Sequence, residues 1–127
     1  MNKRTLMIGI AALLVALVPL AATASAKDGD VRRGGSCTGS TSAKIKLSPE
    51  DGRIETEFEV DQNRNGVTWR VVLRRNGTVV ARTQGTTGGR SGSFEIRRVL
   101  ANGQGSDSIS ARAVSPSGEV CTAHASI

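Results

Sequence analysis

The sequence has no tyrosine, one tryptophan, two phenylalanines, one histidine and two cysteines. Each scarcity removes a class of chemistry. Sugars and nucleobases are recognised by stacking on exposed aromatic rings. The three rings present, Phe58, Trp69 and Phe94, all fall where the local pattern turns them inward. A lone histidine, His124, and two cysteines without C-x-x-C spacing leave no zinc-ligand set. No G-x-S-x-G motif occurs, so His124 has no nucleophile to serve and reads as a solvent-facing residue of a terminal strand. No stretch past residue 26 carries the apolar period of a helix. No catalytic residue, metal or cofactor is assigned, and a non-enzymatic protein is expected.

The first 26 residues do carry a signal. Asn2, Lys3 and Arg4 charge the start, an apolar run follows from Leu6 to Ala22, and Ala24-Ser25-Ala26 is a small-x-small triplet. These are the three parts of a secretory signal peptide, cleaved after Ala26. The run is short for a membrane span and contains Pro19. No cysteine follows it directly, so no lipid anchor is expected, and Lys3-Arg4 in place of Arg-Arg favours the general secretory route. The expected product is an extracellular chain of about 100 residues, one domain's worth, without a transmembrane segment. Its formal charge falls from +6 to about +4 with the loss of Lys3 and Arg4. Outside the cell an even pair of cysteines reads as a disulfide. A Cys37–Cys121 bond would close a loop of about 85 residues, worth roughly 4–5 kcal/mol by chain entropy.

Residues 27–42 are rich in Gly, Ser and Thr and read as a flexible lead pinned at Cys37. Residues 43–127 read as the folded domain, because their period is two. Lys44 to Leu47 alternates. Ile54, Thr56, Phe58 and Val60 oppose Arg53, Glu55, Glu57, Glu59 and Asp61. Val67, Trp69, Val71 and Leu73 oppose Thr68, Arg70, Val72 and Arg74. Val79 to Arg82, Ser93 to Arg97, Ser108 to Val114 and Val120 to Ile127 complete seven strands separated by turn signals such as Asn65-Gly66 and Asn76-Gly77. Seven short strands of this spacing suggest a β-sandwich.

Two hairpin registers can be chosen. With Gly118 bulged in the Ser115-Pro116-Ser117-Gly118 turn, Ala113 faces Cys121, Ala111 faces Ala123 and Ile109 faces Ala125, so every small or apolar residue shares one face. At Arg75-Asn76-Gly77 a two-residue turn would bury Arg82 opposite Val71. A three-residue loop with Gly77 bulged pairs Leu73 with Val79 and Arg70 with Arg82, and is expected.

The strand count and spacing, the buried Trp69 flanked by Val67, Val71 and Leu73, and the final hairpin from Ala111 to Glu119 resemble an immunoglobulin-like sandwich of the fibronectin type III kind. The signal peptide and Arg-rich strands resemble those of small exported proteins of high-GC Gram-positive bacteria. The first resemblance implies strand order A-B-E in one sheet and C′-C-F-G in the other, the seven strands being lettered A, B, C, C′, E, F and G along the chain. It departs from the family in two ways: no tyrosine corner is possible, and the cysteines join the chain ends rather than strands B and F. A shared fold does not give a function.

Three constellations remain. Glu55, Glu57 and Glu59 alternate on one strand, and in the implied order they neighbour Lys44, Lys46 and Arg97 as cross-strand ion pairs. Asp61-x-Asn63-x-Asn65-Gly66 matches the first half of a calcium loop, but Val72 stands where the bidentate Glu belongs, so an Asn-Gly turn is expected. Arg70, Arg74, Arg82 and Arg112 all point outward from the C′-C-F-G sheet with Val72, Val80 and Val114 among them. Arginines and apolar patches without acid suit an anionic partner: an acidic protein, a cell-wall polyanion or a phospholipid surface. Nucleic acid is not expected. Two other roles fit an exported module, a purely structural domain or an enzyme inhibitor presenting residues 84–92. That loop, from Gln84 to Gly92, is the longest, and its glycines argue for mobility.

Overall fold

Alternation of polar and apolar residues builds most of the strands, and burial of the apolar side brings them together. The computed structural model describes residues 29–127, so the expected signal peptide lies outside the described residues. Nine strands and no helix run through them: β1 (Val31–Gly34), β2 (Ser36–Cys37), β3 (Ser42–Glu50), β4 (Arg53–Asp61), β5 (Thr68–Arg75), β6 (Thr78–Thr86), β7 (Ser93–Ala101), β8 (Ser108–Val114) and β9 (Val120–Ser126). They form a four-stranded sheet in the order β1-β3-β4-β7 and a five-stranded sheet in the order β2-β9-β8-β5-β6. Every pairing is antiparallel.

The inner faces make one core. Ile45, Leu47, Ile54, Phe58 and Val60 come from the first sheet, and Trp69, Val71, Leu73, Ile109 and four alanines of β8 and β9 from the second. Trp69 and Phe58 are fully buried. The Trp69 indole N–H donates to Gln62 Oε1 at 3.2 Å, which satisfies the one polar atom of that ring. Thr56 is the exception. It sits between Ile54 and Phe58 on the inner side of β4, and its buried hydroxyl has no hydrogen-bond partner among the described residues.

Two expectations need correction here. Seven strands were expected, with residues 27–42 a flexible lead; β1 and β2 lie within that lead. β1 pairs with β3 from Val31↔Leu47 to Gly34↔Lys44, and β2 pairs with β9 at Ser36↔Thr122 and Cys37↔Cys121. The chain therefore leaves one sheet and joins the other within two residues. Gly35 makes the crossing possible: its N–H donates to the Ala43 carbonyl, and a Cβ there would stand 2.2 Å from the Thr122 carbonyl oxygen. The hydrophobic pattern could not reveal these strands, because backbone pairing and a disulfide hold them. The expected Cys37–Cys121 disulfide is present, across 84 residues of chain.

The final hairpin has the expected register, with Ile109↔Ala125, Ala111↔Ala123 and Ala113↔Cys121, and Gly118 in the left-handed region at φ 89°. The other hairpin differs. Asn76 and Gly77 both take positive φ, 49° and 82°, as a two-residue type I′ turn requires. The pairs are Arg75↔Thr78 and Arg74↔Val79, then the register shifts so that Leu73 meets Ala81 and Val72 meets Arg82. The bulge lies inside the strand rather than at Gly77. Arg82 stays outside by this route, and Arg70 meets Gln84 instead of a second arginine, which avoids a directly opposed like-charge pair.

Two stability measurements follow. Replacing both cysteines by serine should lower the free energy of unfolding by about 4 kcal/mol; an unchanged urea midpoint would mean that the lead contributes no closure. Thr56→Val should raise that free energy by about 1 kcal/mol, since it removes an unsatisfied buried hydroxyl at constant shape; a fall in midpoint would show that the hydroxyl is satisfied.

Candidate functional site

The outer faces of the two sheets differ in how their charge is used. On the four-stranded sheet the glutamates of β4 face cations on both sides. Lys44 pairs with Glu59 at 3.5 Å and Lys46 with Glu57 at 3.5 Å. Arg97 reaches Glu55 at 3.3 Å, Glu95 at 3.8 Å and Glu57. Asp30 adds contacts to Arg32 and Lys46. The ion-pair ladder expected for Glu55, Glu57 and Glu59 is present, and it leaves those carboxylates compensated.

The five-stranded sheet is different in kind. β2, β5, β6, β8 and β9 contain no aspartate or glutamate at all. Val72 stands near the middle of the outer face of β5. Arg70 and Arg74 flank it two residues away in each direction, Arg82 of β6 is its partner on one side and Arg112 of β8 its partner on the other. The four arginines thus form a cross centred on one valine. Arg70, Arg82 and Arg112 are exposed and Arg74 is half-buried. None of the four guanidinium groups has an ion-pair or hydrogen-bond partner among the described residues. Arg75, the fifth arginine of this sheet, is engaged: it lies 3.9 Å from Asp107 and donates to the Ala101 carbonyl.

Two shallow depressions mark the arginine face. One, of about 630 Å³, is walled by Arg70, Arg82 and Arg112, with Val72 and Val114 among its lining. The other, of about 370 Å³, is walled by Arg74 and Arg112, with Ser110, Thr122 and His124 in its lining. Arg112 belongs to both. Ser110, Thr122 and His124 were not singled out as partners of the arginines by sequence reasoning, although strict alternation from Ile109 and Cys121 already turns all three outward. Ser36, also in the second depression, was hidden because it belongs to the unforeseen β2.

The other candidates are placed as follows. His124 is exposed on β9 opposite Ser110, on a sheet whose strands carry no carboxylate. In the Asp61 loop, Asp61 Oδ1 accepts the Asn63 N–H at 3.2 Å, and Asn63 and Gly66 take positive φ, as a tight turn needs. Among the described residues, one group of His, Cys, Asp or Glu is close enough to hold a metal: Cys37, Glu119 and Cys121. Its two sulfurs are bonded to each other, and Glu119 Oε1 accepts the Thr41 N–H.

The 84–92 segment, expected to be mobile, is tied down. Gln84, Gly85 and Thr86 belong to β6. Thr87 is buried, donates its N–H to the Val67 carbonyl, and accepts the Gly66 N–H on its own carbonyl. Gly88 and Ser93 exchange backbone hydrogen bonds, and Gly92 accepts from Gln62. The glycines serve close approach: a Cβ on Gly85 would meet the Phe94 ring at 2.2 Å, and one on Gly92 would meet Arg64 N at 2.2 Å. An exposed tip remains at Gly89 and Arg90. No family model matches this chain, and neither a curated protein nor a solved structure matches it, so the reading of its function rests on this geometry.

Proposed function

We propose that this chain is an exported, immunoglobulin-like binding module that docks an anionic partner of the cell exterior through the outer face of its five-stranded sheet. The fold part of this reading is supported by strand order: β3-β4-β7 runs as A-B-E and β6-β5-β8-β9 as C′-C-F-G of a fibronectin type III-like sandwich, with β1 and β2 added at one edge of each sheet. The observation that carries the functional part is the cross of four unpartnered arginines on five strands without an acid. Adjacent arginines of that cross stand roughly 8–9 Å apart, a strand spacing of about 5 Å combined with a two-residue rise of about 7 Å. That is close to the Debye length of about 8 Å at physiological salt. The arginines therefore feel one another in part through the solvent, and repel modestly until an anion neutralises them. Guanidinium forks suit carboxylate, sulfate and phosphate, which they can grip with two hydrogen bonds each.

The pinned 84–92 segment gives a second reading some ground. An inhibitor needs an ordered presenting loop, and the hydrogen bonds of Thr87, Gly88 and Gly92 order this one, with Arg90 at its tip. Potent inhibition in a protease panel, lost in Arg90→Ala, would establish that role; no inhibition would leave the sheet as the working surface.

Docking is tested by retention on anionic beads. Arg70→Glu with Arg82→Glu should abolish it, while Arg64→Glu with Arg90→Glu, equal in charge but placed in loops, should weaken it only slightly. The logarithm of wild-type affinity for a flexible polyanion should fall with log salt at a slope of roughly −3, as four neutralised contacts imply. Retention that survives the sheet variant would refute the proposal.

A further inference from the structure

The shape of the arginine face restricts what kind of anion it takes. Side chains stand roughly perpendicular to a sheet, so the guanidinium heads keep about the spacing of their strands. Arg82 and Arg112 are separated by two strand spacings, roughly 10 Å, and Arg70 and Arg74 by four residues, roughly 14 Å. Several anions are needed to fill such a cross. The two depressions adjoin at Arg112 and make one track across β6, β5, β8 and β9.

Chemistry narrows the choice further. All three aromatic rings of the chain are buried, so neither bases nor sugar rings have a stacking surface on the track. β5 and β8 are paired on both sides, whereas β6 is an edge and β9 meets β2 only at Cys121 and Thr122; an extended acidic peptide adding at either rim runs along the strands, while the track runs across them. A bilayer is flat, whereas Val72 and Val114, the apolar residues of the larger depression, are half-buried in its lining among the arginines. They are reached by something narrow that enters between the arginines. The track offers cationic forks, the hydroxyls of Ser110 and Thr122, and an aliphatic floor.

We infer that the track binds a linear phosphodiester polymer with an aliphatic backbone, its phosphates on the arginines and its hydrocarbon links over Val72 and Val114. This rests on the docking role proposed above and adds the ligand's class and its mode of binding. Arg112, standing between the two depressions, holds the polymer at the midpoint of the track.

The experiment is calorimetric titration of the disulfide-bonded protein with glycerol phosphate oligomers of one, two, four and eight phosphates. Affinity should rise at least tenfold from one phosphate to eight, because each further phosphate binds at the effective concentration set by its neighbour. Arg112→Ala should cost roughly tenfold to a hundredfold on the longest oligomer, the loss of a charged hydrogen-bonding group, and should flatten the length dependence. Arg112→Lys should lose less. The thermal midpoint of each variant should match the wild type, since Arg112 is exposed and without a partner among the described residues. Equal affinity per phosphate at all lengths would overturn the inference, as would tighter binding to anionic vesicles or single-stranded DNA at equal phosphate concentration. In those cases bead retention lost in the Arg70 and Arg82 variant would still support docking; if retention were also unaffected, the docking role itself would fail.

Discussion

Each strand from β3 to β9 has to bury one face and only one, and that requirement governs the rest of the structure. Trp69, Val71 and Leu73 on β5 face Phe58, Val60 and Ile45 from the other sheet in a single core. A slip of one residue in any pairing would exchange the core face for the outer face. Because the buried inner face is apolar apart from Thr56, the register is fixed without help from the outer residues. The outer faces are then free to carry whatever charge the partner or the solvent demands.

They carry it unequally. Registers set by the core put Lys44 beside Glu59 and Lys46 beside Glu57, so one sheet neutralises itself. The same rule on the other sheet puts Arg82 and Arg112 on either side of Val72. Exposed ion pairs contribute little to stability, so the ladder of the first sheet matters mainly for what it removes from that surface: free charge. The second sheet keeps its charge available. The disulfide supports this division, because it fastens β2 beside β9 and so closes the far edge of the cationic sheet.

The core, the strands from β3 to β9 and the outward arginines were legible in the sequence because all of them follow from period-two alternation. The last hairpin was legible as well, since only one register keeps Cys121, Ala123 and Ala125 on the side of Ile109. Three features were not. β1 and β2 are too short and too polar to show a period, and depend on a close approach at Gly35. The Asn76-Gly77 turn satisfies its own geometry and defers the register correction to a bulge within the strand, which no local pattern marks. The glycines at 85 and 92 were read as a source of mobility, but they permit contact with Phe94 and Arg64. At Gly35 and Gly92 the missing information was a contact with residues distant in sequence, Thr122 and Arg64. The second depression was half legible: Ser110, Thr122 and His124 were outward by alternation, but their joining with Arg74 and Arg112 required the sheet order.

The arginine face of the five-stranded sheet is proposed to be where this protein meets its anionic partner. Backbone amide shifts, followed by nuclear magnetic resonance during titration with an octameric glycerol phosphate, test it most directly. Perturbations are expected to centre on Val72 and spread through the strands that carry Arg70, Arg74, Arg82 and Arg112, with β3, β4 and β7 unmoved. Perturbations centred on β4 and β7, or spread evenly over every exposed cation, would contradict it.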